Sequence, residues 1–258
     1  METNLHVLIN GWFAGREAAG SGQYLDHILP ALAQAAPAMR LTLLVPRGAP
    51  APRWRGVVVA PVAIPPLPGA LRKLWWEQVA MPVWARRLRA DVLWVPYWAA
   101  PWWQPIPTVV TVHDLIPLLL PAYRGGLLQR AYTALVAATA QRSAQVITVS
   151  AASGRDIGAH LRIPSAQVTP IHHGPNQAQT APPTEDARAD ARVRLRLPEH
   201  YFLYIGGFDA RKNLASVMGA YRRYLDMGGN PEVKLVVAGR LPDEDSRFSP
   251  DPRKIAGD

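Results

Sequence analysis

Short runs of β-branched and aliphatic residues alternate with helical patterns along most of this chain, and that alternation restricts the fold more than any other feature. Runs of this kind, separated by helical segments, build right-handed β-α-β units and a mostly parallel sheet. The expected fold class is therefore α/β. Leu5 to Ile9 reads as the first strand, followed by Leu41 to Val45, Val57 to Val59, Val92 to Val95, Val109 to Val112, Val146 to Val149 and Val168 to Ile171. Tyr24, Leu25, Ile28, Leu29 and Leu32 mark one helix face, with Pro30 expected to kink that helix or to lie near its start. Leu127, Leu128, Ala131, Ala134, Leu135 and Ala138 mark the apolar face of another.

At 258 residues, 49% of them hydrophobic, the chain can hold one large or two modest domains. A stretch punctuated by Pro175, Pro182, Pro183 and Pro198 reads as a connection over 173–198, between a first domain at 1–172 and a second segment at 199–258. There is no cysteine, so neither a disulfide framework nor a thiolate metal site is available. That composition suits a reducing cytosol, and a cytoplasmic location is the expectation. The amino terminus has no basic segment and too short an apolar run for a signal peptide. His113, Asp114, Pro117 and Pro121 break the longest apolar stretch, so no run of roughly 20 residues spans a membrane. The formal charge of +9 favours an anionic partner, and with no recognisable nucleic-acid module, nucleic acid is set aside.

Tyr201 to Leu214 combines a strand, a glycine turn and a cationic helix start. Gly206 and Gly207 allow the backbone to turn and approach a ligand closely. Asn213 reads as an N-cap, and the exposed N–H groups behind it, beside Arg211 and Lys212, suit a phosphate or diphosphate. Solvated basic residues at a helix start are the plainer alternative. In the first domain the glycine-rich loop ending in Gly20 and Gly22 lacks the dinucleotide spacing, and suits either close backbone approach to a sugar or phosphate or simple flexibility.

Thr111-Val112-His113-Asp114 ends a strand in a polar pair, where α/β folds place ligands. Neighbouring side chains diverge, which argues against a His-Asp relay, and His113 could equally satisfy a buried backbone group. Ser150 follows the sixth strand and doubles as a candidate helix cap. His172 and His173 suit a linker or cleft-lining role rather than a shared metal, and no metal site is expected. A cluster from Arg72 to Trp103, rich in Trp and Arg, suits either peripheral contact with an anionic membrane at its inner face or packing and acceptor-cleft lining.

The segment from Tyr201 to Leu214 resembles the opening of the second domain in the retaining glycosyltransferases of family 4, which have two Rossmann-like domains in the B-type glycosyltransferase fold. Lys234 to Gly239 looks like the next strand of that domain, and Gly20-Ser21-Gly22-Gln23-Tyr24, Trp75-Trp76-Glu77-Gln78 and Ala90-Asp91-Val92-Leu93 extend the resemblance over nearly the whole chain. The resemblance implies a nucleotide diphosphate sugar as donor substrate rather than a bound cofactor, and a glycan or lipid-linked acceptor, in cell-surface polysaccharide synthesis. It implies that Arg211 and Lys212 hold the diphosphate, with Gly206, Gly207 and Asn213 around it. His113 then contacts donor sugar or acceptor, and Asp114, Ser150, Gly20 and Gly22 join the substrate site. Many relatives carry an arginine where Gly207 stands here, which would shift more of the charge to Arg211 and Lys212.

The chain ends shortly after the second strand of that second domain, so the expectation is a complete first domain with the first β-α-β part of the second. The family's Glu-x7-Glu region is absent from it. A truncated, non-catalytic remnant that binds acceptor, phosphate or a membrane surface is the alternative to an active transferase.

Overall fold

The computed structural model describes residues 4–16, 20–50, 53–174, 182–246 and 248–256. The chain divides into two compact units, Met1–Ala178 and Gln179–Asp258. In the first, seven strands form one sheet: β1 (His6–Asn10), β2 (Arg40–Pro46), β3 (Val57–Val62), β4 (Val92–Val95), β5 (Thr108–Thr111), β6 (Gln145–Thr148) and β7 (Val168–Pro170). They lie in the order β3-β2-β1-β4-β5-β6-β7, every neighbouring pair parallel. The register sets Leu8 beside Thr42 on one side and Leu93 on the other. The helices of this unit are α1 (Gly20–Ala35), α2 (Gly69–Trp75), α3 (Met81–Arg87), α4 (Ile116–Leu119), α5 (Leu127–Gln141) and α6 (Ala151–Leu161), with a π-helical turn, Trp76–Ala80, joining α2 to α3.

The period of two along a strand divides its side chains between two cores. Val7 and Ile9 of β1 pack with Leu41, Leu43 and Trp94 against Leu25 and Leu29 of α1. Leu8 faces the other way, into a core with Leu93, Val110 and Val146 that Met81, Ala85, Val136 and Ile157 close from α3, α5 and α6. Both faces of the sheet are thus covered, which explains why all five residues of β1 are buried. Each fully buried Leu or Ile contributes about 1.5–3 kcal/mol relative to exposure.

One helix expectation is narrowed and another needs correction. α1 runs through Pro30, whose ring lies on the exposed side of the middle of the helix, not near its start. The expected apolar face of α5 is turned outward at its beginning: Leu127 is 82% and Leu128 88% exposed, while Thr133, Val136, Thr139 and Ala140 are buried. Threonines can take the inner face because their hydroxyls bond within the helix, Thr133 Oγ1 to the Gln129 carbonyl at 2.9 Å and Thr139 Oγ1 to the Val136 carbonyl at 3.1 Å. Apolar residues occur all round this helix, so periodicity alone could not choose its inner side.

The second unit holds α7 (Glu185–Leu195), β8 (Tyr201–Ile205), α8 (Leu214–Asp226), β9 (Lys234–Ala238) and α9 (Pro252–Ala256), with β8 and β9 paired in parallel. The expected connection at 173–198 includes α7; Pro175 and the rest of 175–181 lie outside the described residues. α7 starts where Thr184 Oγ1 accepts the Ala187 N–H, carries Glu185 and Asp186 in its first turn and Arg192 and Arg194 in its last, and ends in left-handed Arg196. That charge order matches the helix dipole. Gly239 passes so close to β8 that a Cβ there would lie 2.1 Å from the Gly206 carbonyl oxygen. Among the described residues, no helix is long and apolar enough to cross a membrane.

Candidate functional site

Strand order reverses at β1 and β4, and an open parallel sheet binds ligands outside the carboxyl ends of its strands at such a point. A cleft of about 770 Å³ opens there, lined by Gly20 and Tyr24 of α1, Tyr97 and Trp98 after β4, His113 and Asp114 after β5, and His172 and His173 after β7. Asn10, fully buried at the end of β1, ties the floor together. Its Oδ1 accepts the Trp12 N–H at 3.0 Å and the Trp76 indole N–H at 2.8 Å, and its Nδ2 donates to the Tyr97 hydroxyl at 2.9 Å. A strand-end asparagine was the sequence signal for this bracket, and it went unread.

His113 stands on the cleft wall in a ring cluster. Tyr24 meets it edge-on at 4.9 Å and stacks on His173 at 5.0 Å, while the two imidazoles lie 5.8 Å apart. Its Nε2 is 3.2 Å from the Pro96 carbonyl, which can only accept, so Nε2 carries the proton and Nδ1 is the acceptor in the neutral ring. Burial lowers its pKa first, with His173 adding to the effect, while the Pro96 carbonyl and Asp114 oppose it. The ring is therefore neutral at pH 7, a hydrogen-bond acceptor suited to a sugar hydroxyl rather than a cation for phosphate. Asp114 also lines the cleft, its Oδ1 accepting the Ile116 N–H at 3.1 Å.

The other first-unit candidates separate. Gly20 lines the cleft with open space where a Cβ would be. Gly22 does not line it: it is buried, and a Cβ there would fall 2.1 Å from the Arg16 carbonyl oxygen, so glycine is required for loop packing. Ser150 is the N-cap of α6, its Oγ accepting the Ser153 N–H at 3.0 Å, and it too lies off the lining. Of the Trp cluster, Trp76 and Trp94 are buried, whereas Trp102 and Trp103 are about half exposed with Arg142 and Arg86 over their faces.

Behind Tyr97 lies a polar network that sequence reasoning passed over as part of the Trp stretch. Glu77, fully buried in the π-helical turn, receives Lys73 Nζ at 3.2 Å and the Tyr132 hydroxyl at 2.9 Å, with the Tyr97 hydroxyl close enough to act on its charge. Burial raises the Glu77 pKa, with Lys73 and the tyrosines pulling it back. π-Helical turns recur at functional sites because they re-aim side chains, and this one aims Glu77 at a cleft residue.

In the second unit, Gly206, Gly207, Arg211, Lys212 and Asn213 form one turn after β8. The Gly206 N–H donates to the Ala238 carbonyl at 3.1 Å, and the Tyr204 hydroxyl donates to the Gly207 carbonyl at 2.8 Å. Asn213 corrects the expectation of a side-chain cap. It is left-handed, with φ 52°, and its Oδ1 accepts from the Ser216 hydroxyl at 2.9 Å rather than from a backbone N–H. α8 thus starts without a side-chain cap, and Asp209 instead caps the short 3-10 turn Ala210–Lys212 before it, its carboxylate accepting the Arg211 N–H and pairing with Arg211 Nε at 2.9 Å. Arg211 and Lys212 are both exposed at this turn, ahead of the α8 amino terminus. Among the described residues no group of three or more His, Asp or Glu is arranged to hold a metal ion.

Comparison with known proteins now adds to this geometry. A profile described as Glycosyltransferase Family 4 matches residues 18–178, more than half of the chain. The chain belongs to this family. A search of curated protein sequences gives no match. Among solved structures, Anabaena Alr3699/HepE in complex with UDP and glucose is similar at 12% identity and TM-score 0.52, over 90% of this chain and 68% of that one. A ugt transferase from Siraitia grosvenorii in complex with UDP is similar at 12% identity and TM-score 0.52, over 97% of this chain and 66% of that one. This chain thus spans about two thirds of those structures, and likeness at such identity concerns the fold. The α/β architecture of this family 4 member is that of the B-type glycosyltransferases, with Rossmann-like units.

Proposed function

We propose that the protein transfers a sugar, a hexose by the family resemblance, from a nucleotide diphosphate sugar to a glycan or lipid-linked acceptor with retention of anomeric configuration, in cell-surface polysaccharide synthesis. The observation that carries this reading is the cleft at the strand-order reversal, where His113, held by Nε2 to the Pro96 carbonyl, stands beside aromatic and glycine walls. Such a wall suits a sugar, whose hydroxyls need acceptors and whose ring faces need apolar contact. The Arg211–Lys212 turn, with the α8 amino terminus behind it, supports a diphosphate site. Charge grows on the departing diphosphate as the glycosyl bond breaks, and preorganised cations stabilise that charge more than they stabilise the bound donor. Asp209 holds Arg211 by its Nε and so fixes the direction of the guanidinium. No resident cofactor enters this reading, because the donor itself carries the activated bond.

The test is release of nucleoside diphosphate from a panel of UDP-, GDP- and TDP-sugars, with product anomers read by NMR. His113→Ala should lower kcat/KM by about 10²-fold, the scale of a lost positioning contact. Arg211→Ala with Lys212→Ala should weaken nucleoside diphosphate binding by about 1.5–3 kcal/mol for each charged hydrogen bond lost. Unchanged diphosphate affinity in that double variant, measured by calorimetry, would remove the turn from the donor site.

A further inference from the structure

The outward-turned start of α5 carries the two most exposed large hydrophobic side chains among the described residues, and the proposed reaction leaves them unused. Leu127 and Leu128 are adjacent in the first turn of a helix and each more than four-fifths exposed, and Leu120 just before them is 37% exposed. A lone exposed leucine needs no explanation, but two neighbours at a projecting tip form a patch that water covers poorly. The charge around them is one-sided. Between Asp114 and Asp156 the sequence has no Asp or Glu, and Arg124 and Arg130 flank the leucine pair. A groove of about 300 Å³ beside the tip is lined by Arg124 and Arg130 with Pro117, Leu118, Thr133 and Ala134, and no acidic side chain among the described residues lines it. Pro117 also lines the main cleft, so groove and cleft share a wall.

We propose that this tip rests on an anionic lipid surface, with Leu127 and Leu128 entering the head-group boundary and Arg124 and Arg130 meeting lipid phosphate in the groove. The proposal rests on the transferase reading and narrows its acceptor to the lipid-linked class, because the membrane contact then lies at the rim of the sugar cleft. Shallow apolar insertion joined to phosphate contact is how amphipathic surfaces hold to membranes. The lipid surface is favoured over an acidic protein because the apolar contact is a projecting pair on a helix start, whereas the groove is the size of a single phosphate head group. Trp102 and Trp103 form a different surface, already faced by Arg142 and Arg86.

Flotation with vesicles of phosphatidylglycerol and phosphatidylcholine, against phosphatidylcholine alone, reads the contact directly. Binding should require the anionic lipid and weaken with salt. Leu127→Ser with Leu128→Ser should reduce the partition coefficient by about tenfold per leucine. Arg124→Gln and Arg130→Gln should each reduce it by about fivefold. Trp102→Ala with Trp103→Ala should bind as the parent does. Equal binding by the leucine variant and the parent, or no vesicle binding by the parent, overturns the proposal. So does a parent dimer that the leucine variant abolishes without loss of vesicle binding, since a second copy would then cover the leucines. Calorimetry with the nucleoside diphosphate, run on the same samples, separates the two readings: intact diphosphate binding with failed flotation removes the membrane contact alone.

Discussion

β1 and β8 are both five-residue strands of parallel sheets and both lead into glycine turns, yet His6–Asn10 is buried throughout while Phe202, Leu203 and Ile205 are between half and three-quarters exposed. Composition does not separate them. β1 has a hydrogen-bonded neighbour on each side and helices over both faces, whereas β8 pairs, among the described residues, with β9 alone. Burial is therefore set by the number of layers that cover a strand, and the same apolar run stabilises far more in one place than in the other. The functional features follow that contrast: the first unit carries its polar groups in a buried bracket around a cleft, and the second carries its cations on an exposed turn.

Hydrogen exchange should show the contrast at its largest. Amides of β1 and β4 should exchange about 10³-fold more slowly than those of β8 and β9, corresponding to about 4 kcal/mol of local opening free energy. Equal protection would mean that the second unit is as cooperative as the first. Leu8→Ala should next destabilise the first unit by about 2–5 kcal/mol, while Leu203→Ala, half exposed, should change the second by less than about 1 kcal/mol, both read from denaturant midpoints. A similar loss at both positions would break the comparison.

The two ion pairs sharpen it further. Glu77→Ala removes a fully buried carboxylate from Lys73, Tyr132 and Tyr97 and should destabilise by about 3 kcal/mol, whereas Asp209→Ala opens a partly exposed pair and should matter by about 0.5 kcal/mol or less. Thermal or denaturant unfolding of the two variants decides the matter. A Glu77→Ala variant as stable as the parent would show that Lys73 simply swings to solvent.

The smallest expected effect is a pH slope at the cleft. Because the folded pKa of His113 lies below its ordinary 6.5, the unfolded chain binds more protons there just below pH 6.5. Stability should thus fall as the pH drops through that window, and His113→Gln should flatten the parent's slope while His173 stays in place. An unchanged slope would place the His113 ring in water rather than against Pro96 and Tyr24.

Much of the fold was legible because β-α-β alternation leaves few arrangements open, and each expected first-unit strand appears within a few residues of its expected place. His113 at the end of β5 was legible too, since its position depends on where a strand stops. α5 was not, because a helix with apolar residues on every side can turn either face inward until the sheet selects Thr133, Val136 and Ala140. The Asn10 bracket and the Glu77 network were harder to read for a related reason: the strand-end asparagine and the Lys73–Glu77 spacing are local, but Tyr97 and Trp76 lie 87 and 66 residues from Asn10, and Tyr132 lies 55 from Glu77.

Local residue pattern by itself determined the α/β class, the parallel sheet and the clustering of Arg211 and Lys212 behind a glycine turn, because these depend on short-range periodicity and turn chemistry. Tertiary structure alone decided that Gly20 meets the cleft and that Leu127 and Leu128 face outward. Those outcomes depend on distances between segments far apart in the chain, where close packing admits only one of several locally equivalent arrangements.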